Sequence, residues 1–480
     1  METRLDYNQS GSDATLLATT IQNVVIDEGS MPVDRPSTAI LARLFFATVW
    51  TVVFTGAVRK WLFPHITALY LLQDVPIAFT YLCAIYYMRF VKGYLFLGVV
   101  ALSTLITLQC LAQIVFAGLD PIVAFIGLHN YLYYLPLLVI FPICLNAKYR
   151  RDLIRWCLIL NIPMCLLAIA QNYSPRSSFI NKTSEGDAFG VPGAEVARVS
   201  GTFNFVSFYA LWISLSVALC VAEWLLPRER RAIKNSGVLL ASTIAVNLCH
   251  LISASRGAIL LAGTAILGVL IAGILLRSMR AVIAIGGICI LIPVAIAFTY
   301  VLSPEEFNVV HERLTGQSGS NDIRQRVEEA LFGFATLKFD LLGAGVGTGV
   351  DASHVGSSDS YQFTYVLAEN DLIRTVMELG SPIGLIYALC RIFLPTCMIL
   401  LSVRLVLLRC SPHVLPMSIV LFAQVYLGDL TRAATMDSSM VVIGYCFILG
   451  VYFFPDYADS TYQESIPLAS PILSLESAIV

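Results

Sequence analysis

An all-α polytopic membrane helix bundle of about twelve transmembrane helices is the architecture this chain predicts, and three observations predict it. Mean hydropathy is +0.77, with 57% hydrophobic and only 13% charged residues over 480 positions. Soluble domains, by contrast, carry about 25% charge. Apolar stretches recur at the ~20-residue length that crosses a hydrocarbon core. Lys and Arg collect in every second connection between those stretches, the distribution that sets orientation in a bilayer. Inside hydrocarbon each backbone polar group must be satisfied within its own segment, so the spans read as helices.

Taken in order, the apolar stretches cover 39–58, 66–88, 94–117, 122–145, 153–172, 203–226, 237–252, 258–276, 281–302, 379–401, 414–428 and 440–454. Residues 1–37 are polar, lack an apolar signal core, and read as a disordered cytoplasmic tail; 38–455 form the bundle, and 456–480 read as a second cytoplasmic tail. The 12 cysteines lie in or beside apolar stretches with no paired ligand spacing. They read as small buried hydrophobes and not as a metal or disulfide framework. No metal, cofactor or nucleic-acid partner is expected.

The basic clusters are Arg89 with Lys92; Lys148, Arg150, Arg151 and Arg155; Arg228, Arg230, Arg231 and Lys234; Arg277 with Arg280; and Arg404 with Arg409. If these are cytoplasmic, both termini are too, and two long connections, 173–202 and 303–378, face outward as periplasmic loops. Arg59, Lys60, Arg198, Arg256, Arg324, Arg326 and Arg432 then stand on the outer side, where positive charge is disfavoured. Either an anionic ligand or ordinary ion pairs account for them.

Three local patterns follow one another on that side. Arg198-Val199-Ser200-Gly201-Thr202-Phe203 ends the shorter loop. Ser253-Ala254-Ser255-Arg256-Gly257 makes a tight polar hairpin between two spans. The long loop carries Leu341-Leu342-Gly343-Ala344-Gly345-Val346-Gly347-Thr348, then Ala368-Glu369-Asn370-Asp371, and finally Glu378-Leu379-Gly380 with Gly384. In this order and spacing, over residues 196–388, they resemble the O-antigen ligase and O-antigen polymerase family of bacterial membrane glycosyltransferases. The segment from Gly56 to Pro64, which contains Arg59-Lys60-Trp61, is similar to one near the start of exopolysaccharide-polymerase relatives.

The resemblance implies a metal-independent, cofactor-free transferase of the GT-C type in the bacterial inner membrane. Its donor would be an undecaprenyl-diphosphate-linked oligosaccharide at the outer leaflet. The acceptor would be another lipid-linked repeat unit for a polymerase, or a lipid A core for a ligase. The bilayer and other polysaccharide-assembly proteins are the implied partners. The residue types suit that chemistry. A diphosphate leaving group gathers negative charge as the glycosidic bond breaks, and fixed cations lower that barrier. Arginine keeps its proton and binds phosphate oxygens in pairs. Arg198 and Arg256 are therefore the first candidates for the diphosphate.

From Ser303 to Asn370 the long loop holds ten Asp/Glu against four Lys/Arg, so any diphosphate contact must come from selected residues. Arg324 and Arg326 are candidates; Arg374, five residues past Glu369, is either a partner of that glutamate or another phosphate ligand. Ile323, Val327, Leu331, Phe334 and Leu337 follow helical spacing, so this part of the loop is expected to be an amphipathic helix, with Asp322 at its start. Its arginines either reach substrate or pair with Glu328 and Glu329. The glycines at 343, 345, 347 and 349 lack the strand and βαβ context of a nucleotide loop. They read as a tight re-entrant turn near the acceptor site, where glycine permits close backbone approach.

Glycosyl transfer also needs a base for the acceptor hydroxyl. Ligases of the family place a histidine just ahead of the Glu-x-Gly segment. Here that position is Glu369, which fits polymerase-type relatives and makes Glu369 the candidate base. His354 is the reserve, against a reading as a solvated loop histidine. The first outer loop, from Arg59 to His65, offers no carboxylate for a metal-dependent mechanism.

A secondary transporter is the rival reading. Transporters place ionisable residues mid-span, and Asp74 is the clear example here, with Arg59 or Lys60 as its expected neutraliser.

Overall fold

The computed structural model describes residues 36–64, 66–183, 197–253, 255–277, 286–287, 297, 300, 328, 340–349, 371–427 and 434–455. Residues 1–35 and 456–480 of the expected tails, the expected helix around 323–337 apart from Glu328, and Glu369, His354, Arg324 and Arg326 lie outside them.

Among the described residues the regular structure is helical. Helix α1 (Pro36–Ala57) closes in a π-helical turn, Val58–Leu62. A 3₁₀ stretch, Thr67–Gln73, leads into α2 (Asp74–Tyr86), followed by α3 (Tyr94–Ala117), α4 (Pro121–Leu132), α5 (Leu137–Ile140) and α6 (Ala147–Asn172). Then come α7 (Val206–Leu225), α8 (Ser236–Ile252), α9 (Arg256–Leu276), α10 (Asp371–Leu379), α11 (Ser381–Leu407), α12 (Val414–Leu427) and α13 (Ala434–Phe453). Local chemistry explains several starts. Asp120 accepts from the Ile122 N–H at 2.7 Å ahead of Pro121, and Asn146 accepts from the Tyr149 N–H at 3.1 Å. Both are side-chain acceptors for helix-terminal donors.

Among the described residues, seven helical stretches are long and apolar enough to cross a membrane: Pro36–Leu62, Tyr94–Ala117, Pro121–Cys144, Ala147–Asn172, Val206–Leu225, Gly257–Leu276 and Ser381–Leu407. Four shorter apolar helices, Leu71–Tyr86, Ser236–Ile252, Val414–Tyr426 and Ser439–Phe453, coincide with four more expected stretches. The expected stretch at 281–302 falls almost wholly outside the described residues. The chain is a multi-pass membrane protein.

Helix α7 is the centre of the bundle. In its apolar window 83% of residues are buried, against 22% in α3 and in α11. Leu111, Val115 and Phe116 of α3 and Leu389, Phe393 and Leu400 of α11 are exposed instead, as lipid-facing side chains would be. Helix α7 packs on α8, α9 and α12, and α9 on α12. Direction follows from two contacts. Glu223, near the C-terminal end of α7, stands 2.9 Å from His413 just before α12. Gly268, in the C-terminal half of α9, packs against Pro416 at the start of α12. Helices α7 and α9 therefore run parallel, with their N-termini at the same end. At the opposite end Arg150 donates to the carbonyls of Leu145 at 2.6 Å, Gly450 at 2.8 Å and Phe454 at 2.7 Å. The guanidinium thereby satisfies carbonyls at the C-terminal end of α13.

Candidate functional site

The Glu-x-Gly segment and the glycine turn, expected to be neighbours in function, form one assembly at the α10–α11 junction. Glu378, near the end of α10, is 2% exposed. Its carboxylate accepts from the Tyr131 hydroxyl at 2.8 Å, the Gly347 N–H at 3.3 Å and the Gly349 N–H at 2.9 Å. Arg374, one helical turn earlier and also buried, brings its Nε to 3.8 Å. The backbone completes the clasp: the Ala344 N–H donates to Met377 O at 2.8 Å, and the Gly345 N–H to Glu378 O at 3.2 Å. Glycine is required by both dihedral and space. Gly347 has φ +91°, and a Cβ there would stand 2.4 Å from Val123 O; Gly380 has φ +80°, and a Cβ there would meet Leu341 O at 2.5 Å. The close backbone approach expected of this turn is therefore present, made to α4 and to the α10–α11 corner.

Two glutamines of α3 supply the rest. Gln109 donates to Leu341 O, Leu342 O and Leu379 O at 3.1, 3.1 and 2.7 Å. Gln113 donates to Glu378 O at 2.7 Å and accepts from the Val346 N–H at 2.8 Å. Neither glutamine was singled out from sequence. The available signal was two amides four residues apart in an otherwise apolar span, which places them on one helix face.

Burial pushes the Glu378 carboxyl above its ordinary range, while Arg374, the Tyr131 hydroxyl and the two glycine N–H groups pull it back down. A folded value above the unfolded one means that the stability this group contributes is present at low pH and lost as pH rises through the folded value. Tyr131→Phe removes one donor to the anion and is expected to cost about 1–3 kcal/mol. The loss should be largest where Glu378 is ionised and shrink on acidification, where the protonated carboxyl no longer needs that donor. Thermal unfolding of both proteins across a pH series checks this, and a pH-independent difference would refute it.

The second motif is held by a different buried ion. Lys60, on the π-helical turn after α1, is 1% exposed. It donates to Ser200 Oγ at 3.0 Å, Gly201 O at 2.8 Å and Phe203 O at 2.6 Å. The Gly201 N–H donates to Gln171 at 2.9 Å, and the Thr202 hydroxyl to Val53 O at 2.7 Å. The Gly56–Pro64 segment and the Arg198–Phe203 segment, distant in sequence, are thus one structure, and Arg198 sits half-buried at its edge.

The expected pairing of Asp74 with Arg59 or Lys60 is corrected here. Lys60 is spent on the 200–203 backbone, and Asp74 is met by α4. His129 Nε2 stands 3.0 Å from Asp74 Oδ2, and the Tyr134 hydroxyl donates to Oδ1 at 2.8 Å. Tyr133 donates to the Asp74 carbonyl at 2.8 Å and stacks on the His129 ring. His129 was not a sequence candidate. Its link to Asp74 is purely tertiary, with nothing in the local pattern to reveal it.

Arg256 is the first residue of α9, whose N-cap Ser255 accepts from the Ala258 N–H at 3.4 Å. The Ser253 hydroxyl donates to His250 O at 2.8 Å and tightens the hairpin. Arg198, leading into α7, and Arg256, opening α9, thus belong to the same end of two packed parallel helices. Arg374 is brought into the glycine-turn assembly instead. Among the described residues no group of three or more His, Cys, Asp or Glu is arranged to hold a metal ion. No family model, curated protein or solved structure matches the chain.

Proposed function

We propose that this protein is a polysaccharide polymerase of the bacterial inner membrane, with both termini cytoplasmic. It would transfer a glycan from an undecaprenyl-diphosphate carrier to a lipid-linked acceptor at the outer face, without a metal. The observation that carries the reading is the common end of α7 and α9. Each helix there brings an arginine-bearing segment, Arg198 on one and Arg256 on the other, together with the partial positive charge of a helix N-terminus. A departing pyrophosphate needs those two things at once. The buried Lys60 and Glu378 support it further, because each holds one loop motif rigidly against the bundle, as a preorganised site requires. In this reading Arg324 and Arg326 are further diphosphate ligands, whereas Arg374, expected as another, is held with Glu378 in the glycine-turn assembly. Glu369 takes the acceptor proton, with His354 in reserve.

Lysine at Arg198 or Arg256 keeps the charge and loses the planar fork. Each variant is expected to lower polymer formation about 10²–10³-fold, the scale seen when one transition-state donor is removed, at unchanged membrane abundance. Normal output from both would reject the reading. The same assay separates the ligase alternative: a polymerase-deficient strain accumulates single repeat units, whereas a ligase-deficient one leaves long polymer on its carrier.

A further inference from the structure

At the end of the bundle opposite Arg198 and Arg256, three polar side chains are joined in series. Glu223, near the C-terminal end of α7, is 1% exposed, and His413, just before α12, is 3% exposed. His413 Nε2 stands 2.9 Å from Glu223 Oε1, and its Nδ1 stands 3.1 Å from Ser411 Oγ. The other Glu223 oxygen accepts from the Ala232 N–H at 2.8 Å. The carboxylate is thus held as an acceptor, so Nε2 carries the imidazole proton and Nδ1 turns a lone pair to the Ser411 hydroxyl. Hydroxyl, imidazole and carboxylate stand in the series and at the spacing that activates a serine.

The turn that carries them is stiff. Leu408, Arg409 and Cys410 donate their N–H groups to Arg404 O, Val406 O and Leu405 O at 2.9, 2.8 and 2.9 Å, closing the end of α11. Pro412, with its fixed φ, separates Ser411 from His413. The His413 carbonyl opens α12 by accepting from the Met417 N–H at 3.2 Å. That helix of 14 residues presents its N-terminal partial positive charge to the same turn, which favours an oxyanion there. Ser411 is only half-buried, unlike its two partners. Bracing α7 against α12 accounts for the Glu223 contact, but not for a partly exposed hydroxyl on the second imidazole nitrogen.

The geometry points to a second active centre, in which Ser411, His413 and Glu223 hydrolyse a carboxylic ester of a membrane lipid. Helix α11 ends and α12 begins here, so the site lies at the polar–apolar boundary, the depth of the acyl ester groups of glycerolipids. Leu407, in the last turn of α11, is 53% exposed at that boundary, apolar surface for an acyl chain. Ser411 Oγ bonds to the acyl carbon as its proton passes to His413 Nδ1. The bond from that carbon to the alcohol oxygen breaks, and the departing oxygen takes the proton. Water then adds to the acyl-serine, again through Nδ1, giving the free acid and restoring the hydroxyl. Ser411 and His413 are the catalytic residues; Glu223 acts through the imidazole and is a positioning residue. The site is separate from the Arg198 and Arg256 segments and does not rest on the glycosyl-transfer reading.

The test is labelling of the detergent-purified full chain with a fluorophosphonate, read by peptide mass, together with hydrolysis of p-nitrophenyl octanoate. The wild type should be phosphonylated at Ser411. Ser411→Ala, a small change on a half-buried turn, should lose both the label and the hydrolysis at an unchanged thermal midpoint. Glu223→Gln should lower kcat per folded protein about 10²–10³-fold, within the range of positioned acid–base catalysis, with KM held within about twofold. Glu223→Asp, which keeps a carboxylate, should recover about tenfold or more of that loss. A residue serving only as a brace would move the thermal midpoint and leave kcat per folded protein where it was, and that result would remove Glu223 from the site. A wild type without label on Ser411, or Ser411→Ala cleaving the ester at the wild-type rate, would overturn the proposal. Because the readouts are a serine adduct and ester cleavage and not polymer, their failure would leave the diphosphate reading untouched.

Discussion

Replacing Glu378 by leucine is expected to destabilise the protein by about 3–5 kcal/mol, the cost of breaking a buried charge network from one side. Leucine has similar bulk, so packing changes little. What changes is that the Tyr131 hydroxyl and the Gly347 and Gly349 N–H groups lose their common acceptor, and Arg374 loses the carboxylate beside its Nε. Among the described residues, the hydrogen bonds left from other elements to the stretch 341–349 are those of Gln109 and Gln113 and two backbone bonds. Denaturant unfolding in detergent measures the loss, and hydrogen exchange at 343–349 shows whether that turn is what loosens. Glu378→Gln should fall between the two proteins, because its amide keeps one acceptor but turns an N–H toward the glycine donors. A leucine variant as stable as the wild type would mean that the carboxylate is not what fastens this turn.

Lys60→Met should cost about 1–3 kcal/mol, the scale of leaving buried acceptors without their donor, and at a different place. Methionine matches the length of the side chain but donates nothing. Ser200 Oγ and the carbonyls of Gly201 and Phe203 would lose a charged donor in a site too buried for water to replace it. The entry to α7 should loosen, and Arg198 with it. The proposed transfer activity should therefore fall together with stability, whereas Arg198→Lys should lower that activity alone. Arginine at position 60 should not rescue, because Lys60 is 1% exposed and a larger head group would overpack the site. Full stability in the methionine variant would show that the 200–203 turn holds itself.

Much of the architecture could be read from the chain alone. Apolar length determines where helices can cross a bilayer, since backbone hydrogen bonds have no other partner there. The expected stretches accordingly coincide with the described helices to within a few residues at most ends. The exceptions have local causes. The stretch expected at 66–88 begins as a 3₁₀ segment before Asp74, and the one expected at 122–145 is broken after Leu132, where Pro136 cannot continue a helix. The glycine turn was also legible, because glycine at alternate positions has few physical uses other than close backbone approach.

The partners of the charged and polar residues were a different matter. Asp74 lay in plain view, yet its partner, His129, is 55 positions away. Lys60 lies 140 positions from Ser200, and Gln109 lies 270 positions from the Leu379 carbonyl it binds. Helix propensity and hydropathy are sums over neighbours along the chain, so composition and spacing were enough to determine that this protein is a helical bundle in a membrane. A buried ion is stabilised by whatever lies within a few ångströms of it in space. Only the packing of α1, α3, α4 and α10 against distant turns decided which ion serves which motif.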